Sequence, residues 1–344
     1  MILARDKHVL FWLIIMAALI ITMISVGGLT RLTESGLSMV NWDPLMGIIP
    51  PLSNSAWSTL FDQYKLYPEF KIKNSGMTLN EFKYIFWWEY GHRVLGRIIG
   101  VVFFLPFVYL VINRYFSKNE FLIYSFLLLL GLTQGLIGWW MVRSGLINNP
   151  YVDHLRLATH LFMAQTILMI ISFLILKKIF PSNYNFTNKS NIFKYQFLIF
   201  FILTSVTVIY GAFMAGMDAG KSYNTWPLMG GELIPNSLIG NEGISEFYSN
   251  SVFVHFFHRI LAYLTFILGA YIFLSSRNYI SSKFQMIHLV LIEIVILIQI
   301  LLGVLTVLYA VPVLLGALHQ LTGSILLMLT ATYTFSLFQK KVIH

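Results

Sequence analysis

The 344-residue chain contains no cysteine. That excludes disulfides, thiolate metal sites, iron–sulfur clusters and cysteine nucleophiles. Charge is scarce as well. Asp, Glu, Lys and Arg supply 11% of the residues, against about 25% in soluble domains. Acidic residues are the rarer sign, 14 against 23 Lys and Arg, which leaves a net charge of +9. With 57% hydrophobic residues, a soluble globular domain is excluded and a polytopic membrane protein is implied. The positive balance then needs no nucleic acid to explain it, because Lys and Arg collect in the short loops on one side of a membrane. Cleavable-signal features are also missing. "MILARDKH" leads into an apolar run longer than a signal-peptide core, and reads as a retained first span.

A span needs about 20 apolar residues. That rule predicts eight helices, at 8–29, 88–112, 120–142, 155–178, 194–215, 252–276, 284–308 and 311–338. Arg5 and Lys7 precede the first. Arg114 and Lys118, then Lys177, Lys178, Lys189 and Lys194, then Arg277 and Lys283, and finally Lys340 and Lys341 fall on that same side. Both termini are therefore expected in the cytoplasm or its equivalent, in an all-α integral membrane protein. An Arg- and Ser-rich transit segment is lacking, which points to a bacterial inner membrane.

The chain repeats itself. "GGLTRLTESGLSMVNWDPLMG" after the first span resembles "GAFMAGMDAGKSYNTWPLMGG" after the fifth. "EYGHRVLGR" resembles "HFFHRILAY", "LTQGLIG" resembles "LIQILLG", and "LATHLFMAQ" resembles "GALHQLTGS". Two four-helix bundles are expected, residues 1–180 and 181–344, in the same orientation because each has an even number of spans.

The repeat places His92, His160, His258 and His319 at equivalent depths toward the outer side, two per half on separate helices. A lone histidine is usually a polar bridge between helices, but four at equivalent places indicate ligation. Zinc would want three or four close ligands, whereas two histidines across a bundle suit the axial positions of a haem. One turn deeper than each stands a small residue, Gly96, Ala164, Ala262 or Gly323. That pattern predicts a gap for a flat macrocycle, although helix packing alone favours small residues too. Arg93 and Arg259 follow their histidines, and Arg156 precedes His160 by one turn. Guanidinium forks suit haem propionates, and snorkelling helix anchors are the plainer reading. Glu89 breaks the symmetry, since its repeat equivalent is His255. It suggests chemistry in one half only, with Glu89 as a base or as an ordinary helix-start carboxylate.

Outside this set, 55–72 mixes aromatics with charges and reads as an interfacial amphipathic segment or a loop folded over the helices. Trp42 and Trp226 read as loop anchors. His8, His288 and His344 read as cytoplasmic-side interfacial residues, and His154 as a solvated loop residue. Glu293 interrupts an apolar span, and Gln134 and Gln299 are expected to bond between helices.

Through the "EYGHR" and "FFHR" entries, "RLATH", "ALHQ" and the Pro-Leu-Met-Gly loops, nearly the whole chain resembles the haem A synthases, of the type without a cysteine pair. The resemblance implies oxidation of the C8 methyl of haem O to a formyl group, through a hydroxymethyl stage and with oxygen from water. It implies a resident haem b, with its iron, on His258 and His319, and the substrate haem O between His92 and His160 beside Glu89. Haem O synthase and cytochrome oxidase assembly factors are implied partners, with homo-oligomerisation open and the haem side facing the periplasm. A non-catalytic bis-histidine cytochrome b is the alternative, and a transporter built from repeats is a more distant one.

Overall fold

The computed structural model describes residues 4–40, 46–180, 191–238, 243–276, 279–280 and 282–338. Trp42, Lys189, Arg277, Lys340, Lys341 and His344 lie outside the described residues. Helices dominate: α1 (Ala4–Leu32), α2 (Asn54–Tyr64), α3 (Pro68–Ile72), α4 (Leu79–Ile112), α5 (Lys118–Ser144) and α6 (His154–Ile179) come first. There follow α7 (Asn191–Gly216), α8 (Glu246–Ser249), α9 (Ser251–Ser275), α10 (Lys283–Leu308) and α11 (Val313–Leu337). Among the described residues, eight of these (α1, α4 to α7, α9 to α11) are long and apolar enough to cross a membrane. The protein is thus an all-helical, multi-pass membrane protein.

The observed spans lie within a few residues of the expected ones, with one exception. The second was expected from residue 88, and α4 begins at Leu79. A capping box starts it early: the Thr78 hydroxyl accepts from the Glu81 amide, while the Glu81 carboxylate accepts from the Thr78 amide at 2.7 Å. Two backbone amides at the helix start are satisfied this way. The extra turns bury Phe82, Ile85 and Phe86 against Trp57, Phe61 and Tyr64 of α2. Each large side chain so buried contributes about 1.5–3 kcal/mol, so 55–72 is a helical cover packed on α4.

The backbone forms two compact units, Ala18–Ala164 and Met1–Ala17 with Gln165–His344. Both leave a long helix through the same device. Glu34 after α1 has φ +52° and Asp218 after α7 has φ +50°, a left-handed step that ends a helix and turns the chain over its end. In the second unit, Phe197, Phe200, Ile292, Ile296 and Tyr333 form the centre of an apolar core. His288 belongs to that core. It was expected at the membrane interface, but it is 5% exposed, Nε2 lies 3.1 Å from the Leu329 carbonyl, and Tyr333 packs edge-on against it.

The α2–α3 cover contains a buried acid. Glu69 is 4% exposed and accepts from the Tyr64 hydroxyl at 3.0 Å, while Asn74 donates to that hydroxyl at 2.8 Å. Burial raises the Glu69 carboxyl from 4.5 to about 7, Tyr64's hydrogen bond opposes this, and the nearby Glu89 charge adds to it. Burial and the neighbouring Glu69 also raise the Tyr64 phenol, which stays protonated and donates. A carboxyl whose folded pKa lies above its unfolded one favours folding most below about 4.5, and that contribution fades as pH rises through about 7. The cover is therefore expected to be tighter at pH 5 than at pH 8, by on the order of 3 kcal/mol at most. Thermal unfolding at the two pH values checks this. Glu69→Gln should flatten the difference, and an unchanged difference would exclude Glu69 as its source.

Candidate functional site

Neighbouring helices bring the four histidines against glycines. A Cβ added to Gly138 of α5 would stand 2.9 Å from Cε1 of His160 on α6. At Gly303 of α10 it would stand 2.9 Å from Cε1 of His319 on α11. A Cβ added to Gly27 of α1 would meet Nε2 of His92 at 3.2 Å, and one added to Gly211 of α7 would meet Cε1 of His258 at 3.3 Å. Every one of the four rings thus rests on bare backbone of a neighbouring helix. The pairing of Gly138 with Gly303 was visible in the repeat, but their role as seats for imidazoles was not.

Two of the small residues one turn deeper, Gly96 and Gly323, face side chains of adjacent helices. Gly96 makes room for the Met23 methyl, 3.1 Å from an added Cβ, and Gly323 for the Gln299 amide at 3.1 Å. Those gaps are filled by side chains from adjacent helices, as close packing demands. Gln134 and Gln299 do bond between helices, and they do so at the histidines. The Gln134 amide donates to the His160 carbonyl at 3.1 Å and lies 3.2 Å from Nδ1 of its ring. Gln299 accepts from Thr322 and lies 3.4 Å from Nε2 of His319.

In the second unit the imidazoles face each other, with centroids 6.4 Å apart and planes at 84°. His258 Nδ1 lies 3.2 Å from the Thr207 carbonyl. That contact needs its proton on Nδ1 and leaves Nε2 as a lone-pair donor, the usual arrangement for a ligating histidine. His319 Nδ1 is buried without a partner. Two metal–nitrogen bonds of about 2 Å, plus a ring radius on each side, span about the observed gap. The two imidazoles are thus spaced so that they could hold one metal ion between them. In the first unit His160 lies within electrostatic reach of His92. No group of three His, Cys, Asp or Glu forms a metal cluster among the described residues, so the donors come as pairs.

Residues 89–97 of α4 and the first turns of α9 tie down neighbouring loops. Glu89 is 3% exposed. One carboxylate oxygen accepts from Arg93 Nη2 at 2.6 Å and Nε at 3.1 Å, and the other from the Ser38 hydroxyl at 2.7 Å and the Met39 amide at 2.8 Å. Arg93 also donates to the Met39 carbonyl at 2.9 Å, Arg97 to that of Gly47 at 3.2 Å, and Tyr90 to that of Ile48. Arg259 plays the corresponding part in the second unit. It donates to His255 Nε2 at 3.0 Å and to the carbonyls of Thr225 and Tyr223 at 2.9 and 3.3 Å. Arg156 donates to the Trp140 carbonyl at 2.9 Å and stacks on that indole. These guanidiniums thus hold backbone in place, and both carboxylate oxygens of Glu89 are engaged by donors.

Residues 10–331 match the family model COX15-CtaA, described as cytochrome oxidase assembly protein. A protein of Nitrosospira multiformis named Heme A synthase is 40% identical over 333 residues, covering 96% of this chain and 93% of the relative. Proteins of the same name from Rickettsia bellii and Caulobacter sp. are each 38% identical, covering 94% and 96% of this chain and 96% of each relative. With eight apolar helices and two seated histidine pairs already on the same chain, the chain belongs to the COX15-CtaA family of cytochrome oxidase assembly proteins.

Proposed function

We propose that this protein converts haem O to haem A, oxidising the C8 methyl to a formyl group through a hydroxymethyl stage. Water supplies the oxygen, and each of two successive oxidations releases two electrons and two protons. The observation that carries this reading is the unequal treatment of two otherwise parallel histidine pairs. Glu89 and Arg93 stand over the first, where His255 and Arg259 stand over the second.

His258 and His319 would hold a haem b, which supplies one-electron acceptor chemistry when bound. Thr207 fixes the His258 tautomer, and Gly211 and Gly303 set the two ring positions. His92 and His160 would frame haem O, with Gly27 and Gly138 behind them. Glu89 lies one turn from His92, where a carboxylate would favour positive charge developing on the substrate during methyl oxidation. The loop at Ser38 and Met39, tied to Glu89, limits water at this face. The basic-residue pattern supports cytoplasmic termini and a periplasmic histidine side in a bacterial inner membrane.

Haem extraction and chromatography, after expression with and without a haem O synthase, test the proposal. The expected result is haem A and its hydroxylated precursor only with the synthase, and both missing in His92→Ala while haem b persists. Haem b alone under both conditions would leave a non-catalytic cytochrome.

A further inference from the structure

At the outer end of the first unit a cavity of about 210 Å³ opens beside the first histidine pair. Met39 and Arg93 line one side, and Trp139, Val142, Arg143 and Leu146 the other. Its walls are chain neighbours of the site: Arg93 follows His92, and Trp139 follows Gly138, on which His160 rests. A cavity of this size is too small for a whole tetrapyrrole, since drug-sized ligands occupy about 300–1,000 Å³. It suits one edge of such a molecule, apolar with a single charged substituent.

Arg143 is the cation that remains for that substituent. Its guanidinium lies over the Trp139 ring, 5.4 Å from the centroid, and no carboxylate among the described residues is bonded to it. Arg93 is bonded to Glu89 and Met39, and Arg156 to the Trp140 carbonyl. The repeat supplies an independent argument. Arg31, Arg97, Arg143 and Arg156 of the first half stand opposite Ala215, Tyr263, Leu308 and Leu315 of the second. All four extra guanidiniums sit on the side from which the orientation rule removes positive charge. Arg97 and Arg156 donate to the carbonyls of Gly47 and Trp140, so Arg143 is the one of the four that lines the cavity.

We propose that Arg143, stacked on Trp139, is the cation of an anion pocket that grips a propionate carboxylate on the edge of the substrate tetrapyrrole. This rests on the haem O reading above. The planar fork would meet the carboxylate by two parallel hydrogen bonds, and the indole holds the fork in plane without spending its donors. Arg143 then sets affinity and register rather than the rate of oxidation.

The test is a Soret absorbance titration of the purified full chain with haem O and with its dimethyl ester, alongside KM and kcat. It is run in bilayer discs of phosphatidylcholine alone and with phosphatidylglycerol added. Arg143→Gln is expected to weaken haem O binding and raise KM about 10- to 100-fold, with kcat nearly unchanged, as loss of a charged hydrogen bond would. Arg143→Lys should recover part of the loss. The ester should bind the parent as weakly as haem O binds the variant, with no further loss for the ester in the variant. Equal haem O affinity in parent and variant overturns the proposal. So does a defect seen only with phosphatidylglycerol, which would make the pocket a lipid phosphate site. A parent that binds haem O with this dependence but never oxidises it would instead refute the proposed function and leave the pocket standing.

Discussion

With haem b held as proposed, a Gly303→Val protein is expected to bind none, whereas a Gly138→Val protein keeps haem b and makes no haem A. In each glycine's place even a methyl would lie 2.9 Å from the ring carbon of the facing histidine and 3.4 Å from its Nδ1. The atoms in the way belong to imidazoles, not to the free ends of flexible chains, so they cannot swing aside cheaply. A branched residue pushes each ring out of line by a sizeable part of an ångström. Misplacement of about 1 Å near a reacting centre can cost about 100-fold in rate, and a loss of that order or greater is expected for Gly138→Val. Reduced-minus-oxidised spectra and extracted haem content report the two sites separately. Matching effects of the two substitutions on both readouts would contradict the division of labour between the pairs.

Glu89→Gln is expected to lower haem A formation by at least 100-fold, at unchanged haem b content. The change removes the charge that Arg93 faces at 2.6 Å in a site 3% exposed. Breaking one side of such a buried pair costs about 3–5 kcal/mol, whereas removing both sides is often close to neutral. That asymmetry separates structure from chemistry. In Glu89→Ala with Arg93→Ala, the thermal midpoint should recover most of what Glu89→Ala alone loses, while haem A formation should not recover. Recovery of both together would reduce Glu89 to a loop clamp. The second unit offers a natural control, because Arg259 there bonds a neutral imidazole at the corresponding place.

Much of this was legible in the sequence because membrane burial leaves few ways to place polar residues. Each span could be found from apolar length alone, and the histidines stood out against it. The start of α4 was missed, because the turns from Leu79 to Phe86 are amphipathic and gain their burial from α2, a partner that composition does not reveal. His288 was misplaced for a similar reason. Near a predicted span end an imidazole reads as interfacial, and only the Leu329 carbonyl across the bundle explains its burial. The histidine side carried its own hints of the glycine seats: Gly138 and Gly303 were noticed, yet Gly27 and Gly211 went unread because their partners lie on helices far along the chain. Arg93, Arg156 and Arg259 read either as partners for propionates or as helix anchors, and the structure adds bonds to backbone carbonyls that no linear pattern predicts.

The glycine seats also bear on how the protein should be handled outside its bilayer. An imidazole propped by a side chain could follow a small displacement of its neighbour by changing rotamer, but a ring pressed against bare backbone inherits any change in interhelical distance directly. Helix packing, interhelical hydrogen bonds and the surrounding lipid together hold that distance. Short-chain detergents relax it, so prosthetic-group loss should precede any loss of helical circular dichroism during solubilisation, and colour becomes a more sensitive gauge of integrity than secondary structure.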